Sequence, residues 1–176
     1  MRKLSFEELQ AKKRDLTGRR LPVSVLLDDV RSLHNVGAVF RSADGAAVEH
    51  LYLCGISGTP PRDEIRKTSL GAEESVPWSY HQDRLSLVHD LKRQGRQIVV
   101  LEQTTAAIDY RRASYRFPLV LIVGHEYQGV AEDLVALADL AIELPMHGVK
   151  HSLNVSVAFG VAIYEIRRHW EETCDR

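Results

Sequence analysis

The sequence predicts an α/β fold: a mostly parallel sheet flanked by helices. Three observations carry this. Short apolar runs rich in Val, Ile and Leu recur at Leu21–Leu27, Gln97–Leu101 and Leu119–Val123, as in strands buried on both faces. Segments of helical spacing lie between such runs, for example Leu85, Val88 and Leu91. The 176 residues, 44% hydrophobic and 27% charged, suit one domain with a real core.

The elements follow in order. Ser5 to Asp15 reads as a short amphipathic helix, with Ser5 and Glu8 at capping-box spacing. Leu21–Leu27 is the first strand. His34 or Asn35 opens a helix that runs to Asp44 and is stopped by Gly45. His50–Cys54 is the second strand, and a Gly/Ser/Thr/Pro loop leads to a short helix over Asp63–Leu70. A short strand is expected around Val76–Tyr80. Asp83 caps a helix ending at Gly95. Gln97–Leu101 is the fourth strand. Ala106–Tyr115 reads as a helical turn and a loop. Leu119–Val123 is the fifth strand, followed by a helix over Ala131–Ala138, a sixth strand at Ala141–Leu144, and a last helix reaching Trp170.

Composition excludes several classes. No apolar run reaches membrane-spanning length, and MRKLSFEELQ lacks the apolar segment of a signal peptide, so a cytoplasmic protein is expected. Cys54 and Cys174 stand apart, and the eight histidines show no ligand spacing, so neither a redox pair nor a metal is indicated. With 23 basic and 24 acidic residues, bulk charge does not mark a protein that coats nucleic acid. The basic residues do cluster, at Lys12-Lys13-Arg14, Arg19-Arg20, Arg62/Arg66/Lys67 and Arg111/Arg112/Arg116, and such patches can hold a phosphate backbone or serve as solvated surface.

Three stretches carry candidate chemistry. In Asn35-Val-Gly-Ala-Val-Phe-Arg41, Asn35 stands where a helix cap belongs. His34, Gly37, Ala38 and Arg41 share one helical face. An arginine on a face of Gly and Ala has room to reach into a cavity, or else needs a structural partner. In Gly124-His-Glu-Tyr-Gln-Gly129, two glycines let the backbone approach a ligand, and Glu126 can pair with a cation or cap the next helix. The stretch is neither a P-loop nor a dinucleotide fingerprint. In Pro145–Ala158, Ser152 is a candidate cap for the last helix, and Asn154 falls inside its first turn, where Asn bonds elsewhere more readily than it extends a helix. That helix is apolar on two sides: Leu153, Val157, Gly160, Val161 and Tyr164 form one stripe; Val155, Phe159, Ala162, Ile163 and Ile166 form another. Gly160 suggests close packing of another backbone.

Together these stretches resemble the SpoU/TrmH branch of the SPOUT methyltransferases. Asn35-x-Gly37-x-x-x-Arg41, Gly124-x-Glu126-x-x-Gly129 and Pro145-Met-x-Gly-x-x-x-Ser152-Leu-Asn-Val-Ser-Val-Ala158 are similar to its three motifs, in order, over about Leu21 to Arg168. Lys67-Thr-Ser-Leu-Gly-Ala72 is also similar to this branch. The resemblance implies a SPOUT fold with a C-terminal trefoil knot, spanning 21–170 between an N-terminal helical extension at 1–20 and a tail at 171–176. It implies S-adenosylmethionine as cofactor, bound by Leu101, Glu102 and Gln103, by Val123, Gly124, His125, Glu126 and Gly129, and by Ile142, Leu144, Met146, Ser152 and Leu153. It implies a homodimer with its active site at the interface, and methylation of a ribose 2′-hydroxyl in tRNA or rRNA.

Methyl transfer from a sulfonium requires in-line attack by an oxygen and no metal. The demanding part is making the hydroxyl nucleophilic, for which a general base contributes about 10²–10⁴-fold. The family reading gives Arg41 this place. Arginine stays protonated in proteins, so Arg41 is expected to orient or activate the hydroxyl and its adjacent phosphate. Asn35, Glu126, Ser152 and Asn154 complete the expected site. His125, His147 and His151 depart from or flank the motifs as surface residues or assisting groups. The alternative is a non-catalytic RNA-binding or assembly module that keeps the knotted fold.

Overall fold

The computed structural model describes residues 1–16 and 20–174. Arg19 of the basic pair and residues 175–176 of the expected tail lie outside the described residues, as do the side chains of Lys13 and Arg14.

In chain order the elements are α1 (Phe6–Leu16), β1 (Leu21–Asp28), α2 (Leu33–Gly45), β2 (Val48–Cys54), α3 (Asp63–Ser69), α4 (Ala72–Ser75), β3 (Trp78–His81), α5 (Arg84–Arg93), β4 (Gln97–Leu101), β5 (Ile108–Asp109), β6 (Leu119–Val123), α6 (Glu132–Leu137), β7 (Leu140–Glu143) and α7 (Val155–Cys174). Ser5 and Glu8 form the expected box: Glu8 N–H donates to Ser5 Oγ, and Ser5 N–H donates to the Glu8 carboxylate at 2.7 Å. Ala106–Tyr115 contains the two-residue strand β5 rather than a helical turn, and α4 adds a turn of helix not expected from the sequence.

The strands form one seven-stranded sheet in the order β3-β2-β1-β6-β4-β7-β5, and every pair is parallel. Successive side chains along a strand alternate between faces, which explains why the strands are apolar throughout. Leu119, Leu121 and Val123 join Val99 and Ile142 in a core under α2, α3 and α7, with Phe40, Ile65 and Phe159 among its large members. Val120 and Ile122 join Ile98 and Val100 in a second core under α5 and α6. Cys54 is buried in the second core, where burial pushes its thiol up to about 12, so it stays unionised at neutral pH.

Two helix packings bear on the site. A Cβ on Gly37 would lie 2.1 Å from Thr68 Oγ1 and 2.4 Å from the Ile65 carbonyl oxygen, so α2 and α3 meet backbone to backbone there. Thr68 Oγ1 also donates to the His34 carbonyl at 3.0 Å. Close approach at Gly37 therefore serves helix packing. At Gly160 the atom nearest an added Cβ is Ser42 Oγ at 3.8 Å, so no backbone packs tightly on it within the chain. Ser42 lies on α2, which runs beside α7.

Candidate active site

Strands β6, β4 and β7 are neighbours and parallel, so the loops leaving their carboxyl ends open on one edge, where ligands bind in sheets of this kind. The loops begin at Glu102, Gly124 and Leu144. Together they line a cleft that includes Leu101, Glu102, Gln103, Val123, Gly124, His125, Glu126, Gly129, Leu144, Met146, Ser152 and Leu153. Ile142 does not line it. Its side chain is fully buried in the core of β7, and only its carbonyl takes part, accepting from Glu102 N–H at 3.0 Å. Tyr127, Gln128 and Glu143, which fall within the loops expected to hold the cofactor, also line the cleft, as do Val155 and Ala158, which were not expected there. Ala158 sits one helical turn beyond Asn154, and that spacing was the available signal.

Glu126 reaches out of its own loop to the amino end of α2. Its carboxylate accepts from Arg31 N–H at 3.0 Å, Ser32 N–H at 2.9 Å and Asn35 Nδ2 at 2.9 Å. Burial works to raise its carboxyl, but these hydrogen bonds outweigh burial and hold it below the ordinary glutamate value. Glu126 thus neither pairs with a cation nor caps the helix after its own loop.

Asn35 is not the cap of α2. Ser32 holds that place, accepting from Asn35 N–H at 3.4 Å. The Asn35 side chain is thereby free to join two distant segments: its amide donates to Glu126, and its Oδ1 accepts from Asn154 Nδ2 at 3.0 Å. Asn154, in turn, is the cap of α7. Its Oδ1 accepts from Ser156 N–H at 2.9 Å and Val157 N–H at 3.3 Å. Ser152, expected to cap, lies two residues too early, and stands exposed at the cleft's lip. A continuous chain Glu126–Asn35–Asn154 therefore ties all three motifs together.

The two glycines of the second motif close the loop on itself. A Cβ on Gly124 would lie 2.2 Å from the Gly129 backbone. Gly129 has φ of +72°, a conformation that favours glycine, and a Cβ on it would lie 2.1 Å from Glu102 Oε2. Arg41 is exposed on α2, does not line the cleft, and makes no side-chain hydrogen bond or ion pair among the described residues. Among the described residues no three or more His, Cys, Asp or Glu are grouped to hold a metal ion, and no helix is long and apolar enough to cross a membrane.

The cleft suits S-adenosylmethionine. Residues 144–153 make no backbone–backbone hydrogen bond among the described residues, so their N–H and C=O groups are available to a ligand's polar edge. Among the described residues only the His151 carbonyl is engaged, by the Gln103 amide. Leu101, Val123, Leu144, Met146 and Leu153 give apolar walls, and Glu102, Glu126 and Glu143 make the cleft's lining acidic, which suits a cationic ligand in general although the Glu102 and Glu126 carboxylates are engaged by N–H groups of the protein.

Solved structures share this fold. The A. aeolicus TrmH/SpoU tRNA modifying enzyme matches with a TM-score of 0.83 and 31% identity over 96% of this chain and 85% of that one. The AdoMet-bound rRNA methyltransferase of Sinorhizobium meliloti matches with a TM-score of 0.75 and 28% identity, over 89% of this chain and 59% of that one. Fold and cleft together define an α/β methyltransferase of the SPOUT class, with S-adenosylmethionine as cofactor. The model of the SpoU rRNA Methylase family matches residues 22–164, and the chain belongs to that family. It is 34% identical to the tRNA (guanosine(18)-2′-O)-methyltransferase of Aquifex aeolicus over 89% of this chain and 74% of the relative. It is likewise 34% identical to the Thermus thermophilus enzyme of that name, over 92% and 84%. The chain is an S-adenosylmethionine-dependent RNA ribose 2′-O-methyltransferase.

Proposed function

We propose that the substrate is tRNA and that the methyl acceptor is the 2′-hydroxyl of a guanosine, at position 18 as in the Aquifex and Thermus relatives. The near-complete span of those alignments supports this reading, because it runs through all three site motifs. Acting on tRNA, the enzyme works in the cytoplasm. The test is nucleoside mass spectrometry of unmodified tRNA incubated with the protein and S-adenosylmethionine. Appearance of 2′-O-methylguanosine, lost when guanosine 18 is replaced, is the expected result. Methylation of rRNA alone, or of another nucleotide, overturns it.

The proposed active unit is a homodimer, and the observation that carries this is Arg41. It stands exposed on α2, free of its own cleft, and α2 packs beside α7. The exposed stripe of α7 is apolar: Val157 is 52% exposed, Val161 40% and Tyr164 53%, with Leu153, just before the helix, 42% exposed. A second copy covering this stripe would carry its own Arg41 towards the first copy's cleft. S-adenosylmethionine supplies an electrophilic methyl group on a sulfonium. The backbone of 144–153 with Leu101, Gln103, Val123, Met146 and Leu153 would hold it, and Ser152 would close the lip. Arg41 of the facing protomer would bind the phosphate beside the target ribose and draw the 2′-hydroxyl into line, lowering the cost of losing its proton. Glu126, Asn35 and Asn154 would fix the relative positions of the cofactor loop, α2 and α7.

A further inference from the structure

The backbone of the loop between β6 and α6 is held along its length, its tip included. His125 N–H donates to the Gly129 carbonyl at 3.0 Å, and Gly129 N–H donates to the His125 carbonyl at 2.9 Å, which closes the loop. Val130 N–H is held by the Glu102 carboxylate at 2.9 Å, and Ala131 N–H by Asp28 Oδ2 at 3.0 Å. Glu126 is engaged with α2, as above. The His125 ring also turns inward. Its Nδ1 accepts from Tyr127 N–H at 3.1 Å and from Gln128 N–H at 3.3 Å. The histidine that departs from the family pattern is therefore a brace for the tip.

That brace holds out one large group. Tyr127 is 86% exposed while lining the mouth of the cofactor cleft. The His125 ring lies 6.0 Å from it, tilted by 48°. Among the described residues the Tyr127 side chain makes no hydrogen bond. A flat aromatic ring on a backbone already fixed from below loses little entropy when something stacks on it. Proteins that read RNA mostly target single-stranded loops and bulges, whose unstacked bases are received on aromatic faces.

We propose that Tyr127 is a stacking platform for an unstacked nucleobase of the substrate RNA at the mouth of the cofactor cleft, with His125 as the residue that positions it. This rests on the reading of the cleft as an RNA methyltransferase site. The base need not be a particular one, since every base has a π-face; the sequence preference of the enzyme would come from elsewhere.

The experiment compares wild type with Tyr127→Ala, Tyr127→Phe and Tyr127→Trp in the full chain, using unmodified tRNA. Each protein is measured for kcat and KM, for S-adenosylmethionine affinity by calorimetry, and for mass by sedimentation. The expected result for Tyr127→Ala is a kcat/KM lower by about 5- to 150-fold, chiefly through KM for tRNA, the range of one base–aromatic stack. Phe and Trp restore it to within about threefold, since either ring offers the same face. Cofactor affinity and mass stay as in wild type. The proposal is overturned if Tyr127→Ala keeps the wild-type kcat/KM, if Phe fails as Ala does, or if the loss follows weaker cofactor binding or a changed mass. If wild type methylates no tRNA, the reading beneath fails instead; filter binding of the same tRNA to wild type and Tyr127→Ala then decides the platform, an equal affinity overturning it.

Discussion

Replacing Glu126 with Gln tests whether one carboxylate holds the first and second motifs together. The side chain keeps its shape, and one acceptor oxygen, but loses its charge and must turn an NH2 group either towards Arg31 N–H or towards Ser32 N–H and Asn35 Nδ2. A hydrogen bond to a charged group contributes about 1.5–3 kcal/mol when well buried. Glu126 is only partly buried, and water can reach Arg31 N–H and Ser32 N–H once they are released. Its three bonds together therefore contribute about 2–4 kcal/mol, and the Gln variant forfeits about half, or 1–2 kcal/mol. In a domain of this size 1 kcal/mol lowers Tm by about 2–4 °C, so a fall of about 2–8 °C is expected at neutral pH.

The sign of the pH dependence separates charge from packing. The folded state holds the Glu126 carboxyl below its ordinary value of 4.5. The stability it contributes is thus complete above that value and is lost as pH falls through the lower, folded value. The amide of the Glu126→Gln variant cannot titrate. The gap between wild type and Glu126→Gln should accordingly be full at pH 7 and close in acid. Denaturant midpoints at fixed protein concentration, from pH 3 to 7, measure it. A gap that persists unchanged at pH 3, or no gap at pH 7, refutes the assignment of Glu126 as a charged clamp on α2.

Gly129→Ala forces a side chain at φ of +72° into Glu102; a loss of about 1–3 kcal/mol in stability is expected, with S-adenosylmethionine affinity falling in calorimetry. Arg41→Ala should lower methyl transfer by about 10²-fold or more while cofactor affinity holds. Co-expressing Arg41→Ala with Gly129→Ala tests where Arg41 acts: half of randomly paired dimers are mixed, each with one intact composite site, so about a quarter of wild-type activity should return. No recovery would place Arg41 in its own protomer's site. Val157→Asp sets a charge in the exposed apolar stripe of α7, and sedimentation should show monomers without methyl transfer; an active, unchanged dimer would move the interface elsewhere.

Much of the fold was readable because its strands are buried on both faces. Leu119–Val123 could hardly be anything but a central strand, since both of its faces meet apolar helices. Ile108–Asp109 was not readable: two residues show no period, and their pairing with β7 is decided by the chain around them. The caps failed for a related reason. Ser32 and Asn35 are both good cap residues three positions apart, and local sequence cannot rank them. Glu126, 91 residues away, settles the matter by taking up the Asn35 amide. Ser152 and Asn154 pose the same ambiguity, and Asn154 takes the cap while its amide reaches Asn35.

The polar groups at the head of α7 therefore have a reason that propensity could not supply. A cap needs one acceptor oxygen, and Ser would serve. An amide accepts from the helix with its oxygen and donates elsewhere with its nitrogen, on separate atoms and with a longer reach than a serine hydroxyl, which must do both from one oxygen, while a carboxylate only accepts. Asn35 uses the same division of labour, donating to Glu126 and accepting from Asn154. Asp or Ser at 154 would preserve a good capping residue, and either at 35 would leave the Ser32 cap in place, yet each replacement would break the chain of bonds between the motifs. The requirement for amides at both positions thus follows from the link between segments 119 residues apart, and it is this link that fixes the cofactor loop, the face bearing Arg41 and the stripe of α7 in one frame.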